Sequence, residues 1–576
     1  MTLSGGKMNP GLSGCSVMFL VILMLHGALF ASPQSQQPAA STPAPTFKSS
    51  THLVLVPTIV RNKDGQHIGG LKTEDFIVRE DGKPVKVEVF EEVIASPKYT
   101  KPEPSKLPPG TFTNEPENRA PKALVVLALD TINTAFADKV YARQQLFKYL
   151  QESLDDDKMV ALVEMKRSGV RIIHDFTTDP KVLIEALRRI QLGPAEAPDP
   201  VELVAEDEER REVYRQMAGL SILGTGEESP LTDPNAFRSQ VRNSVLQTLD
   251  CLKQIAQVYG GISGRKALVW VSGGFPFSLT NTAEMQLPDR QVVSEGLVNI
   301  SADYDRTWKV LNNANFSIYP VDARGLVNTY FWRPVEQAEF SRTLVTQRLR
   351  TNLALVMQPE SISTFRSFAN MTGGRAFVNN NDLTRGFRAA VDDTSAYYLI
   401  GYYSAQKKPG WHRLKVQVRQ KNANVRARSG YLVAKDVLPA QEAELRKMDV
   451  SLALHSPMQF SAVSLRLRLV TASPSEVAMP GKKPVAFELD IPVDTLDKNG
   501  SEQVVSLSLV GVAQDKSGNV IANVANEVNS KLSPGQGGLN FRHKFDLPPG
   551  QHTLRVVVHD NFSGRTGSVI APVTVE

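Results

Sequence analysis

Ser272 stands in the residue pattern that comes nearest to a catalytic motif. It follows a short apolar run, and the segment Trp270–Gly274 ends in two glycines, as a nucleophile elbow does. In that motif a glycine two positions before the serine permits the sharp turn that exposes the hydroxyl. Trp270 occupies that position here. The pattern therefore does not predict acyl transfer by Ser272.

Other enzyme chemistries lack a required residue or spacing. The segment Gly224–Ser229 has no third glycine for a dinucleotide-binding loop and does not follow a clear strand. The 9 histidines include no His-Glu-x-x-His pair, and the sequence contains no phosphate-binding P-loop. With only 2 cysteines, a Cys-based zinc module is excluded. We predict a protein that is not an enzyme, with a hydrolase of unrecognised site as the alternative.

Composition excludes further classes. The chain has 576 residues, of which 41% are hydrophobic, enough for several packed cores. Its 65 basic and 60 acidic residues leave a net charge of +5, which argues against a dedicated nucleic-acid binder. We therefore expect a globular protein of several domains with no nucleic-acid partner.

The elements that would position Ser272 alternate between strand and helix over residues 122–393. Short apolar runs typical of strands buried on both faces are separated by amphipathic stretches such as Lys139–Leu154. This alternation predicts an α/β domain with a mostly parallel sheet and helices on both faces. The predicted strands are Leu124–Leu129, Met159–Met165, Val170–Phe176, Ala267–Val271 and Phe316–Val321.

The regions on either side have sequence patterns typical of β-strands. Residues 49–95 and 394–433 each offer about three strands, too few for a stable domain alone. We expect them to pair into one discontinuous β-domain, because the ends of an inserted domain usually lie close together. A Pro-rich linker over 96–121 and a polar spacer over 434–448 separate the parts. Residues 449–576, with regularly spaced short strands, predict an immunoglobulin-like β-sandwich.

The N-terminus reads as an export signal. Lys7 precedes the apolar run Val17–Leu25, and a small-residue cleavage site follows at Ala28–Ala31. We predict a signal peptide over 1–31 and a disordered leader over 32–48, with an uncleaved anchor as the alternative. The mature protein would then be extracytoplasmic, periplasmic or secreted, and would have no membrane span.

Several segments of the sequence together resemble those of a known protein family. The buried strand ending in Asp130 and the loop Thr131–Thr134 are similar to the first strand and loop of a von Willebrand factor type A domain. Over about 50–435 the chain resembles an exported bacterial family with this domain, abundant in acidobacteria. The resemblance implies a Rossmann-like fold for residues 122–393. Further segments that contribute to the resemblance are Gly69–Phe76, Glu80–Lys83, Gly264–Gly274, Thr372–Phe377 and Tyr397–Tyr402.

The resemblance also implies a metal-ion-dependent adhesion site. Asp130, Asn133, Thr134 and Ser272 would supply oxygen ligands to Mg²⁺ or Ca²⁺. The motif is degenerate, since Ile132 stands where a hydroxyl belongs and Ser272 where an aspartate belongs. The alternative is that Asp130 and Thr134 cap the first helix and order its loop.

The function implied is binding or adhesion. The loops at the carboxyl ends of the strands, where open α/β sheets place their ligand sites, would recognise a protein or cell-envelope ligand. The alternative is a structural envelope protein that does not depend on metal.

Overall fold

The computed structural model describes residues 52–95, 107–116, 123–152, 158–190, 234–274, 301–326, 361–404, 408–433, 439–471, 479–498 and 503–576. The predicted signal peptide, the leader and the segment Gly224–Ser229 lie outside these residues. Within them, no helix has both the length and the apolar character that a membrane crossing requires.

The described chain begins with strands over 52–113, continues with mixed strands and helices over 124–395, and is mainly strands after that. The strands are β1 (His52–Arg61), β2 (Phe76–Glu80), β3 (Lys83–Pro84), β4 (Val89–Ile94), β5 (Thr111–Thr113), β6 (Leu124–Asp130), β7 (Met159–Lys166), β8 (Gly169–Thr177), β9 (Lys266–Ser272), β10 (Phe316–Asp322), β11 (Ala396–Ser404), β12 (Gly410–Val418), β13 (Asn424–Arg426), β14 (Gly430–Val433), β15 (Arg466–Val470), β16 (Lys483–Pro492), β17 (Val504–Gln514), β18 (Val520–Lys531), β19 (Gly538–Leu547), β20 (Gly550–Asp560) and β21 (Thr566–Val575). The helices are α1 (Phe136–Glu152), α2 (Pro180–Arg188), α3 (Pro234–Val258), α4 (Ser301–Asn313), α5 (361–372), α6 (Thr384–Ser395) and α7 (Pro439–His455).

A five-stranded sheet, here called the central sheet, has the order β10-β9-β6-β7-β8. Strands β6, β9 and β10 are buried at every residue because helices pack on both faces. One apolar core joins the sheet to α3, α4 and α5 through residues such as Leu252, Trp308 and Phe365, and the other joins it to α1, α2 and α6. The start of α2 follows its sequence, since Asp179 caps the Lys181 N–H and Pro180 opens the helix.

The predicted fold class, a Rossmann-like α/β fold of von Willebrand type A, was wrong for this chain. Strand residues outnumber helical residues, and of the five sheets in the described residues four are wholly antiparallel. The central sheet is mixed, because β8 runs antiparallel to β7. Two residues separate these strands, and a parallel crossover needs a dozen or more.

Two four-stranded sheets, β13-β1-β11-β4 and β14-β12-β2-β3, enclose one apolar core and are here called the split sandwich. Each sheet interleaves strands from 52–95 with strands from 396–433. Strand β11 lies between β1 and β4, and β12 pairs with β2. Neither segment could bury its apolar faces alone, so the split sandwich forms only when both ends of the intervening chain meet.

The last part of the chain forms a second β-sandwich from the sheets β19-β16-β15-β5 and β18-β17-β20-β21. Its edge strand β5 comes from the segment predicted as a linker, where Asn114 donates to the carbonyls of Phe460 and Val463 and accepts from the Leu465 N–H at 2.7 Å. The expectation that 449–576 folds alone as an immunoglobulin-like unit omitted this strand. The pairing was not visible in sequence because some 350 residues separate its partners.

Asp393, in the last turn of α6, joins the central sheet to the split sandwich. Its buried carboxylate pairs with Arg61 of β1 at 3.3 Å and with Arg426 of β13, and it accepts a hydrogen bond from the Tyr319 hydroxyl of β10 at 2.8 Å. Arg265 extends the network by donating to the Tyr319 oxygen at 3.1 Å. One carboxylate thus holds three chain segments together.

We expect Asp393→Ala to lower the free energy of unfolding by about 3 kcal/mol, because it leaves Arg61 and Arg426 without their anion in a mostly buried site. Asp64→Ala is the control, since the Asp64 carboxylate lies in an exposed turn away from this network. Chemical denaturation followed by tryptophan fluorescence measures both. Equal losses in the two variants would contradict the role given to Asp393.

Candidate functional site

The carboxyl edge of the central sheet gathers polar side chains at three strand ends. Asp130 ends β6, Ser272 ends β9, and Asp322 ends β10. Because β6, β9 and β10 are parallel neighbours, their carboxyl ends lie side by side. All three residues are at most 2% exposed. Buried polar side chains therefore lie at this edge, at the points where the loops leave the strands.

Asp130 accepts hydrogen bonds from five donors. Its Oδ1 accepts from the backbone N–H groups of Ile132 at 2.9 Å and Asn133 at 3.0 Å. Its Oδ2 accepts from Asn133 Nδ2 at 2.8 Å, Ser272 Oγ at 2.8 Å and Trp270 Nε1 at 3.2 Å. Burial raises the pKa of Asp130, and hydrogen bonds from Asn133, Ser272 and Trp270 act in the opposite direction. The carboxylate orders the loop that follows β6.

Asn133 and Thr134 bind neighbouring elements rather than an open position. Asn133 Nδ2 also donates to Thr248 Oγ1 of α3 at 2.8 Å. Thr134 Oγ1 accepts from the Gly273 N–H at 2.8 Å, which ties the loop after β6 to the loop after β9. A Cβ at Gly273 would lie 3.0 Å from the Asn133 carbonyl oxygen, so the two loops approach at a residue without a side chain. The structure thus joins Asp130, Asn133 and Ser272 in one hydrogen-bond network and places Thr134 beside it, bonded to the residue after Ser272.

This donor set does not fit the Mg²⁺ or Ca²⁺ implied by the resemblance. Both oxygens of Asp130 face N–H and O–H donors, whereas a hard cation requires several free oxygen ligands. The part of the chain that the structure describes contains no group of three or more His, Cys, Asp or Glu side chains arranged to hold a metal. Of the two interpretations of Asp130, the geometry favours the one in which it orders its loop. Thr134 accepts its hydrogen bond from Gly273, across the gap to the loop after β9.

Ser272 is not placed as a nucleophile either. Its hydroxyl is 0% exposed and bonded to Asp130, so a substrate carbonyl has no access to it. It also accepts from the Gly274 N–H at 3.3 Å. Ser272 therefore links the loop after β9 to the buried carboxylate.

Sequence reasoning missed the third strand end. Arg324 donates from Nε and Nη2 to the two oxygens of Asp322, both at 2.8 Å, in a bidentate pair. The Arg324 side chain stays 21% exposed, and a Cβ built at Gly274 would lie 3.4 Å from its Nη1. Asp322 directly follows a predicted strand, as Asp130 and Ser272 do, so the same signal could have identified it.

The comparisons with known proteins add little. No family model and no curated protein matches the chain. Among solved structures, the chain is similar to the ApaA protein from Bordetella pertussis at 21% identity, over 19% of this chain and 88% of that one, with a TM-score of 0.14. A TM-score this low supports no conclusion about fold or function. The candidate site is therefore argued from its geometry.

We expect Asp130→Asn to lower the free energy of unfolding by about 2–3 kcal/mol, because the amide cannot accept from every donor around it and leaves buried donors unsatisfied. Asp64→Asn, in an exposed turn, is the control and should change stability little. Urea denaturation of both variants provides the measurement. An Asp130→Asn protein as stable as the control would show that the network does not order the edge.

Millimolar Mg²⁺ or Ca²⁺ should leave the melting temperature of the unmutated protein unchanged, because a cation would have to displace the donors around Asp130. Calorimetric scans with each ion and with a chelator test this. A rise in melting temperature that Asp130→Asn abolishes would reinstate the metal site.

Proposed function

We propose that this chain is an exported, non-enzymatic binding protein that recognises a protein or cell-envelope ligand through the loops at the carboxyl edge of the central sheet. The proposal of export rests on the signal-like pattern of residues 1–31. The proposal of binding rests on the carboxyl edge, where buried side chains order the loops but leave Arg324 partly exposed.

Arg324 is the observation that carries the proposal. Two of its nitrogens are fixed by Asp322, so its guanidinium is held in one orientation before any ligand arrives. A preorganised side chain loses little conformational entropy on binding. A partly exposed guanidinium in a fixed orientation suits a carboxylate or another anionic group on the ligand. The favoured ligand therefore presents an acidic group to this edge.

Pre-ordered loops favour recognition over catalysis at this edge. Ser272 and Asp130 use their polar atoms on each other and on neighbouring loops, which leaves neither side chain free for a reaction. In a binding surface the same saturation is useful, because it fixes the backbone of residues 131–134 and 273–274, where the loops leave the sheet. This supports a binding role over the hydrolase alternative.

The test is retention of components from the native envelope fraction by the immobilised protein and by two variants. Arg324→Ala should reduce retention about tenfold, since one charge-assisted contact contributes ~1.5 kcal/mol or more. Arg188→Ala, at an exposed position on α2, should leave retention unchanged. Circular dichroism spectra that overlay at the assay temperature show that all three proteins are folded, although Arg324→Ala lowers stability by leaving the buried Asp322 unpaired.

Two outcomes would contradict the proposal. Retention that Arg188→Ala reduces as much as Arg324→Ala would place binding elsewhere. Absence of any retained component, with a weakened envelope in cells that lack the protein, would favour the structural alternative instead.

A further inference from the structure

One face of the split sandwich carries a cluster of positive charge. Strand β12 turns His412 and Leu414 inward, so Trp411, Arg413 and Lys415 point outward. Arg79 of β2 lies directly opposite Lys415 in the antiparallel register. We call the four residues Arg79, Trp411, Arg413 and Lys415 the basic face. With Gly82, Leu414 and Ser429 they line a shallow cavity of about 460 Å³.

The three cations of the basic face lie close together on one exposed surface. None of them forms an ion pair with any residue in the described ranges, and all three side chains are exposed. Like charges directly opposite on paired strands are destabilising. The Asp81 carboxylate is bound to His412 Nδ1 at 2.7 Å and to the Arg413 backbone N–H at 2.9 Å, and of the three cations only Arg413 contributes to lowering its pKa. The arrangement costs stability in the free protein, and an anionic ligand would offset that cost.

Trp411 gives the face an apolar platform beside the cations. A Cβ at Gly430 of β14, which pairs with Arg413, would lie 2.5 Å from Cε2 and Cζ2 of the indole. The ring thus occupies space that only a glycine leaves open, and this contact fixes its position. Trp411 remains half-buried, so part of the ring faces the cavity.

We propose that the basic face binds an acidic polysaccharide. Such a polymer presents C–H-rich ring faces, which stack on the electron-rich face of an aromatic side chain, together with carboxylate or sulfate groups for arginine and lysine. A single-stranded nucleic acid fits less well, because its binding surfaces use successive aromatic platforms and this face has one. An acidic peptide would pair with the basic side chains, but its recognition does not require the stacking surface that the Trp411 indole provides.

This surface is independent of the carboxyl edge. Its residues lie on β2 and β12, whereas Arg324 follows β10 in the central sheet. The two proposals can therefore fail separately.

The test measures binding of the full chain to polygalacturonate, a uronic-acid polymer, by isothermal titration. Neutral dextran, poly-glutamate and an oligothymidylate serve as comparison ligands. We expect binding to polygalacturonate that weakens as salt increases, and weaker binding to all three comparison ligands. Trp411→Ala should reduce the affinity about tenfold without changing its salt dependence, because it removes stacking and no charge.

The double variant Arg413→Glu/Lys415→Glu keeps Trp411 and reverses two of the three charges. It should abolish binding. Lys516→Glu, a charge reversal in an exposed turn of the second β-sandwich, is the matched control and should bind as the unmutated protein does. Unfolding curves of each variant separate lost binding from lost fold.

Three results would overturn the proposal. These are polygalacturonate binding no stronger than dextran binding, an equal loss in Lys516→Glu, and poly-glutamate or oligothymidylate binding as tight as that of polygalacturonate. Loss of binding in the double variant alone, with Trp411→Ala unaffected, would also reject the polysaccharide in favour of a ligand recognised by charge only.

Discussion

The buried carboxylate of Asp393 is the contact on which the arrangement of the central sheet and the split sandwich depends. It is shared by Arg61, Arg426 and Tyr319, which come from strands far apart in sequence. Helix α6 passes directly into β11, an inner strand of the split sandwich, without a linker. A rigid connection and a shared ion pair together prevent the central sheet from swinging relative to the split sandwich. The carboxyl edge and the basic face are therefore held in a fixed relation to each other.

A few specific contacts also join the helices on the central sheet to the second β-sandwich. Gln257 of α3 donates to the Gly564 carbonyl and accepts from the Thr566 N–H, at 2.8 and 2.9 Å. A Cβ at Gly260 would lie 2.7 Å from Cβ of Ala462, so the helix end approaches the sandwich at a residue without a side chain. Both sandwiches are thus fixed to the α-helical layers of the same sheet.

Asp130 shows how one carboxylate can suggest a metal and serve another purpose. An aspartate at the end of a buried strand is a good oxygen ligand only if its lone pairs are free. Here the loop N–H groups, Asn133, Trp270 and Ser272 occupy them. Because hydrogen-bond donors occupy its oxygens, the Asp130 carboxylate orders a loop and does not serve as a metal ligand. The same logic applies to Asp322, whose two oxygens hold Arg324 in place.

The sequence by itself determined the local elements and the residues at their ends. Apolar runs located β6, β9 and β10 almost to the residue, because strands buried on both faces must be apolar throughout. Asp130 and Ser272 were candidate site residues because the sequence resembles a von Willebrand type A domain there, and the structure places both at the carboxyl edge of the central sheet. Only the tertiary structure decided which strands pair, that β5 joins the second β-sandwich, and that Arg79 lies opposite Lys415. The physical reason is that sheet partners, and the donors that saturate a buried carboxylate, come from residues up to hundreds of positions away, and a local pattern contains no record of them.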